Sequence, residues 1–328
     1  FFFKQKTAYE FGTGDWSSDV CSSDLFTVAE ADGVYPSDFD KWIGENGAFD
    51  MSFDFSHIRL GFDEDCTWHK RKSWKLIDIR KCFTEDEEAT KDNGWVPVYF
   101  ENHDLPRCTN YFFPQGIDTK LAAKFIATIL LTMRGTPFIY EGQELGMTNI
   151  KWPSIKMYND ISSIGQYELA LKDKLTPKEA MKGVWKYSRD NARSPMTWNS
   201  GSKAGFTTGR PWLPLNDEYP NLNVETETED ENSVLNYYKN LIKLRKQYPA
   251  LIEGDYEELL SYSPGIYAYA RTTKDKLERI IVIANTTAKI RGYKIPELKG
   301  ATLLASTYGN REATLLRSYE VRVYKVKK

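Results

Sequence analysis

From Phe26 to about Gly254, short apolar runs alternate with longer amphipathic stretches. That pattern predicts strands alternating with helices, and hence a parallel sheet. The first run, "FTVAE", closes on Glu30. "AFDMSFDF" sets Phe49, Met51, Phe53 and Phe55 against Asp50, Ser52 and Asp54, the alternation of a strand with one wet face. "VPVYF", ending at Phe100, and "TPFIY", ending at Tyr140, are the third and fourth strands, with Pro137 tolerated near the start of the last. The clearest helix opens at Asp118, carries Leu121, Ala122, Phe125, Ile126, Ile129, Leu130 and Met133 on its apolar face, and ends at Gly135. A second runs from about Ser233 to Tyr248 and stops at Pro249. The acidic "ETETEDE" before it reads as a solvated loop that suits a helix N-terminus. The stretch from Lys151 to Asn223 reads as loop-rich, and a loop that long is usually functional.

Beyond Gly254 the pattern changes. "GIYAYARTT", "RIIVIANTT", "ATLLAST" and "YEVRVYKV" are short, β-rich and separated by turn residues, so residues 254–328 read as a small antiparallel β domain following an α/β domain at 26–253. Residues 1–25 show no period and resemble translated sequencing-adapter DNA. They are set apart as a non-native leader, and Asp15, Asp19 and Asp24 receive no role.

Composition narrows the partners. A hydrophobic share of 41% with nine Trp suffices for a sizeable core. A net charge of −2 supplies no field for nucleic acid or an anionic membrane, so neither is expected as a partner and a neutral ligand is. Cys21, Cys66, Cys82 and Cys108 form no CxxC pair and no cluster with His, which predicts free thiols in a reducing, cytoplasmic setting. The aliphatic run from Phe125 to Met133 is far shorter than the about 20 residues a membrane span needs.

Chemistry concentrates at strand ends. Glu30 follows the first strand, Glu101, Asn102, His103 and Asp104 the third, and Glu141, Gln143 and Glu144 the fourth. The carboxyl ends of parallel strands form the mouth where ligands bind, so these groups are expected to converge. Taken singly, an acid in such a place is more often a cap or an ion-pair partner. His57 and His69 read as packing or surface residues, while Trp198 and Trp212 could equally anchor loops or stack on a sugar.

"FTVAEADGV", "YFENHDLPR", "GTPFIYEGQELGMTN" and "YSRDNARSPMTWNSGSKAGFTTGRPW" together resemble the oligo-1,6-glucosidase and α-glucosidase group of the α-amylase superfamily, in that family's order. The resemblance implies an α/β fold: the C-terminal half, strands five to eight, of a (β/α)8 TIM barrel followed by a small antiparallel β-sandwich. It implies retaining glycoside hydrolysis, in which a carboxylate forms a glycosyl-enzyme and a carboxylic acid protonates the leaving oxygen. By motif, Glu30 matches the general acid/base and Asp104 the second acid, with His103 and Arg193 on the same sugar and Arg189 the weaker candidate for Arg193's role. To serve as an acid, Glu30 needs its pKa lifted above about 4.3 by burial or by a neighbour such as Asp104. Ser162 stands where relatives carry a Glu on the leaving side.

The family's nucleophile, an Asp in a G-F-R-x-D segment, does not occur in these 328 residues. The chain as written is therefore expected to be inactive. No cofactor is required, and the resemblance puts any structural calcium in the missing N-terminal part. The substrate class is a short oligosaccharide, and the complete protein is expected to be a monomer. Trehalose-6-phosphate hydrolase and sucrose isomerase-type relatives are the alternatives, and a non-catalytic barrel-type interaction protein is the alternative of another class.

Overall fold

A computed structural model describes residues 26–44, 47–63, 65–92, 94–309 and 315–327. The proposed leader at 1–25, with Cys21, lies outside them. Four short parallel segments stand where the apolar runs predict them: β1 (Val28–Ala29), β2 (Met51–Ser52), β3 (Pro97–Val98) and β4 (Thr136–Pro137). β1 pairs with β2 and β3 with β4, both parallel, and a Met51–Trp95 bridge connects the two pairs. Helices Ile79–Thr90, Thr119–Thr132 and Val234–Gln247 contribute to a common core with Val98 of β3, and Phe53 and Phe138, which follow β2 and β4, pack against it.

One expectation about β2 is overturned. Asp50 is exposed as expected, but Ser52 and Asp54 are buried, so the polar positions share no continuous wet face. Phe53 packs edge-on against Tyr99 and Phe138, at 5.0 and 5.1 Å between ring centres. The Asp54 carboxyl lies close enough to Asp86 of helix Ile79–Thr90 for their charges to interact. In a layered α/β fold both faces of a strand are covered, and period-two polarity then reports different neighbours rather than solvent. Burial pushes the Asp54 carboxyl up to about 6, and burial with the Asp54 charge pushes Asp86 well above the usual carboxylate range.

Helix Thr119–Thr132 begins as predicted, with the Asp118 carboxylate accepting the backbone N–H of Lys120 at 2.9 Å. At its end Gly135 adopts φ +123°, and a Cβ there would stand 2.3 Å from the Val96 carbonyl oxygen. Only glycine can make that turn into β4. The buried Arg245 of helix Val234–Gln247 donates to the carbonyls of Leu131, Met133 and Gly135, satisfying acceptors that a helix end leaves open.

Two loop expectations also fail. Much of "ETETEDE" is helical (Val224–Glu229), and Glu227 is buried because its carboxylate accepts the N–H groups of Val234 and Leu235, capping the following helix. The stretch from Lys151 to Asn223 contains paired helices, Ile161–Lys172 and Pro177–Tyr187. Asp160 caps the first, and a Thr176–Glu179 capping box with Pro177 opens the second.

The C-terminal strands are β5 (Asp255–Leu259), β6 (Ile266–Thr272), β7 (Arg279–Asn285), β8 (Arg291–Gly292), β9 (Thr302–Ser306), β10 (Leu315–Leu316) and β11 (Val321–Lys325). Five form an antiparallel sheet in the order β5-β6-β7-β11-β9, and β8 pairs with β10. Both sheet faces are covered. Tyr267, Tyr269, Ile280 and Val282 join the core built on helix Thr119–Thr132, whereas Ile266, Ala268, Ala270, Ile281 and Ile283 pack with Leu316 in a second, smaller core. A buried ion pair, Arg271 Nη1 to Glu87 Oε1 at 2.6 Å, ties β6 to helix Ile79–Thr90.

Candidate active site

The segment after β3 divides its two acids. Glu101 turns inward, its Oε2 3.1 Å from Arg107 Nη1 and its Oε1 accepting the N–H of Cys108 at 2.7 Å, so it anchors the start of helix Cys108–Phe112. Asn102 Oδ1 accepts the N–H of Asp104 at 2.8 Å and sets the turn that leaves Asp104 facing outward. Asp104 Oδ1 then receives Arg193 Nη2 at 2.6 Å and Arg189 Nη1 at 3.3 Å, with its side chain still 40% exposed. His103 gives its carbonyl to Arg193 Nε at 2.8 Å, and its exposed ring stands 3.8 Å from Asp104.

Arg189 is held from behind. Its Nε and Nη2 lie 2.8 and 2.7 Å from Oδ1 of the buried Asp160. Burial opposes the Asp160 charge, but hydrogen bonds from Arg189 and Ser163 and the guanidinium's own charge outweigh it and hold the carboxyl below its usual range. Asp160 also accepts the N–H of Ser162. Ser162 is exposed in the first turn of helix Ile161–Lys172 and is linked through Asp160 and Arg189 to Asp104. The neighbouring Asp190 accepts the N–H groups of Asn159 and Asp160, which fixes the loop.

Glu30 lies at the carboxyl end of β1, exposed, with no hydrogen bond or ion pair to the Asp104 cluster among the described residues. Its charge reaches Tyr99, whose phenol is pushed up by burial first, then by Asp54 and Glu30. The described residues therefore do not supply the burial that an acid role requires.

The expected convergence is partial. Glu101 serves the scaffold, as does Gln143, which donates to Tyr238 Oη at 3.1 Å. Glu141 contributes its backbone carbonyl to Arg107. Burial raises Glu144, whose buried Oε2 has no hydrogen-bond partner. His57 is buried among Phe83, Tyr99, Phe100 and Phe112, and burial lowers its pKa to about 4. His69 has a partner that sequence spacing did not suggest, Asp173 at 2.8 Å. Trp198 and Trp212 are 50% and 66% exposed. Sequence reasoning missed Asp160, and it placed Asn102 at the strand end without its turn-setting role. The signals were an Asp directly before a helical run and an Asn two residues before an Asp, both side-chain-to-backbone capping patterns.

Fold and site together define an enzyme-like scaffold: carboxylates and arginines presented at the carboxyl ends of parallel strands, with an antiparallel domain behind. The alpha-amylase catalytic-domain family matches residues 7–254, a match that begins inside the leading segment. The oligo-1,6-glucosidase of Parageobacillus thermoglucosidasius is 38% identical over 314 residues, covering 93% of this chain and 55% of that protein. Among solved structures, isomaltulose synthase from Klebsiella sp. LX3 superposes with a TM-score of 0.84 at 34% identity, over 94% of this chain and 57% of that one. Trehalose-6-phosphate hydrolase of Bacillus licheniformis gives 0.86 at 30% identity, over 95% and 58%. The chain belongs to the alpha-amylase family, with that family's mixed α/β fold and C-terminal antiparallel sheet. It spans about half the length of the curated relatives it matches.

Proposed function

We propose that this chain is the acid/base-bearing part of a retaining α-glucosidase that removes glucose from short α-1,6- or α-1,4-linked oligosaccharides. The observation that carries the reading is the Asp104 carboxylate, fixed by Arg189 and Arg193 yet left 40% exposed at the mouth of parallel strands. There it supplies fixed negative charge to a developing oxocarbenium centre and accepts sugar hydroxyls. Glu30 protonates the leaving oxygen and then takes a proton from water. For that it needs burial that substrate and further protein surface would provide. His103 donates to the same sugar, Arg193 closes the non-reducing end, and Ser162 lies toward the leaving group, with Arg189 joining the two sides through Asp160.

The chemistry is proton transfer and nucleophilic displacement at carbon, which two carboxyl groups perform without a cofactor. The free thiols Cys66, Cys82 and Cys108 support a cytoplasmic site of action. Among the described residues no helix is long and apolar enough to cross a membrane. The complete protein is proposed to act as a monomer.

A retaining reaction requires a second carboxyl about 5 to 5.5 Å from the first. With no G-F-R-x-D segment in the sequence, the 328-residue polypeptide is expected to leave a nitrophenyl α-glucoside intact; measurable turnover refutes that expectation. The substrate is decided by product analysis on isomaltose, maltose, sucrose and trehalose 6-phosphate with a nucleophile-bearing form. Release of glucose from isomaltose or maltose supports the α-glucosidase. Cleavage of trehalose 6-phosphate alone, or rearrangement of sucrose, selects the readings favoured by the two solved structures above. No reaction with any of the four defeats the proposal.

A further inference from the structure

A cavity of about 560 Å³ lies between the α/β part and the antiparallel sheet, sharing no residue with the Asp104 cluster. Four cations line it, Arg71, Lys72, Lys75 and Lys186, and no carboxylate does. In a chain whose net charge is −2, that is a local excess of one sign. None of the three lysines is paired with a carboxylate among the described residues. Arg71 is fixed in the wall. Its guanidinium lies 4.1 Å from the ring centre of Phe62, 4.5 Å from that of Tyr111 and 5.1 Å from that of Tyr187, it donates to the Leu60 carbonyl, and its buried Nη1 has no hydrogen-bond partner.

Lys186 Nζ also stands 5.5 Å from the Tyr187 ring centre, but ammonium groups around a concavity that lacks a carboxylate attract an anion, and lysines act on phosphate as point charges. The remaining lining is of another kind. Trp74 and Tyr187 offer aromatic surface suited to the C–H face of a sugar ring, while Ser73 offers a hydroxyl. The volume lies within the roughly 300–1,000 Å³ of small-ligand sites, which fits a phosphorylated saccharide better than a bare ion or a macromolecule. We propose that this interdomain groove binds a small sugar phosphate, with Lys72, Lys75 and Lys186 on the phosphate and the ring against Trp74 and Tyr187.

Calorimetric titration of the 328-residue chain at low salt with glucose 6-phosphate, glucose and inorganic phosphate tests this. Glucose 6-phosphate should bind, glucose should give no heat, and inorganic phosphate should bind at least about tenfold more weakly. Lys72→Glu and Lys186→Glu alter exposed side chains. Each should weaken glucose 6-phosphate binding by about tenfold or more, with the melting temperature unchanged. Added salt should weaken what remains. The proposal is overturned if the parent chain does not bind glucose 6-phosphate, if inorganic phosphate binds as tightly, or if both variants bind like the parent. None of these outcomes depends on Glu30 or Asp104, so the α-glucosidase reading stands or falls separately.

Discussion

Glu101 and Asp104 are three residues apart on one turn, and both meet arginines, but their circumstances are opposite. Glu101 and Arg107 are each almost completely buried and are held by additional hydrogen bonds. Asp104 shares one oxygen between two arginines and leaves the rest of its carboxylate facing out. A buried ion pair with further hydrogen bonds is scaffold, since both carboxylate oxygens are engaged and shut off from any ligand. A carboxylate fixed in position with acceptor capacity to spare can bind something else. The difference lies in what each acid has left over.

Breaking the buried pair should have the largest effect. Arg107→Met leaves the Glu101 charge without its partner and should cost about 3–5 kcal/mol, read as a lowered urea midpoint; a midpoint within error of the parent would show that Glu101 is not a scaffold acid. Asp104→Asn should do the reverse. In a nucleophile-bearing form it should reduce kcat/KM by about 10²–10³-fold, as loss of a preorganised charge does, while stability shifts by less than about 1 kcal/mol, as for other exposed ion pairs. Retained activity would place the second acid elsewhere.

Asp54 extends the comparison to a buried acid facing other acids instead of an arginine. Its carboxyl is raised to about 6 from 3.8, so the folded state holds the proton more tightly than the unfolded chain. That stabilisation is complete below the ordinary value and is lost as pH rises through about 6. Melting temperature should therefore fall between pH 5 and pH 7 by more in the parent than in Asp54→Asn; parallel curves would contradict the assignment. The smallest change is expected at Ser162, where Ser162→Glu adds an exposed side chain to a helix's first turn and should move stability by no more than about 0.5 kcal/mol. Its effect, if Ser162 lies toward the leaving group, is on KM for oligosaccharides and not on the melting temperature.

Period and turn chemistry made much of the fold legible. "GIYAYARTT" was legible as a strand, and its alternate residues, Ile266, Ala268 and Ala270 against Tyr267 and Tyr269, enter different cores. Asp118 announced its helix as an N-cap, and the second helix starts at the expected Ser233, whose side chain caps it. What failed were inferences of exposure. Asp54 and Glu227 read as wet because they are acids, but each is buried against a partner distant in sequence or on the next helix. The helix opening "TPKEA" carried a full capping-box signature that the surrounding Gly, Ser and Trp obscured. Within the site, Asp104, Arg189 and Arg193 were legible through motif, and the structure does bring them together. Asp160 was not, because its importance lies in a contact with Arg189 across 29 residues of chain.

The Arg271–Glu87 pair bears on modularity. The boundary near Gly254 looks like a seam at which a designer might cut or graft a different β domain. Yet Glu87 is buried in helix Ile79–Thr90, and the cation beside it belongs to β6. Burial already disfavours its charged form, with Arg271 and Arg134 offsetting that cost. A graft that preserved the backbone but not an arginine at this point would leave Glu87 buried in the α/β domain without its ion-pair partner. The two domains are thus interchangeable only among chains that carry both halves of this pair and that also rebuild the core shared by Tyr267, Tyr269, Ile280 and Val282.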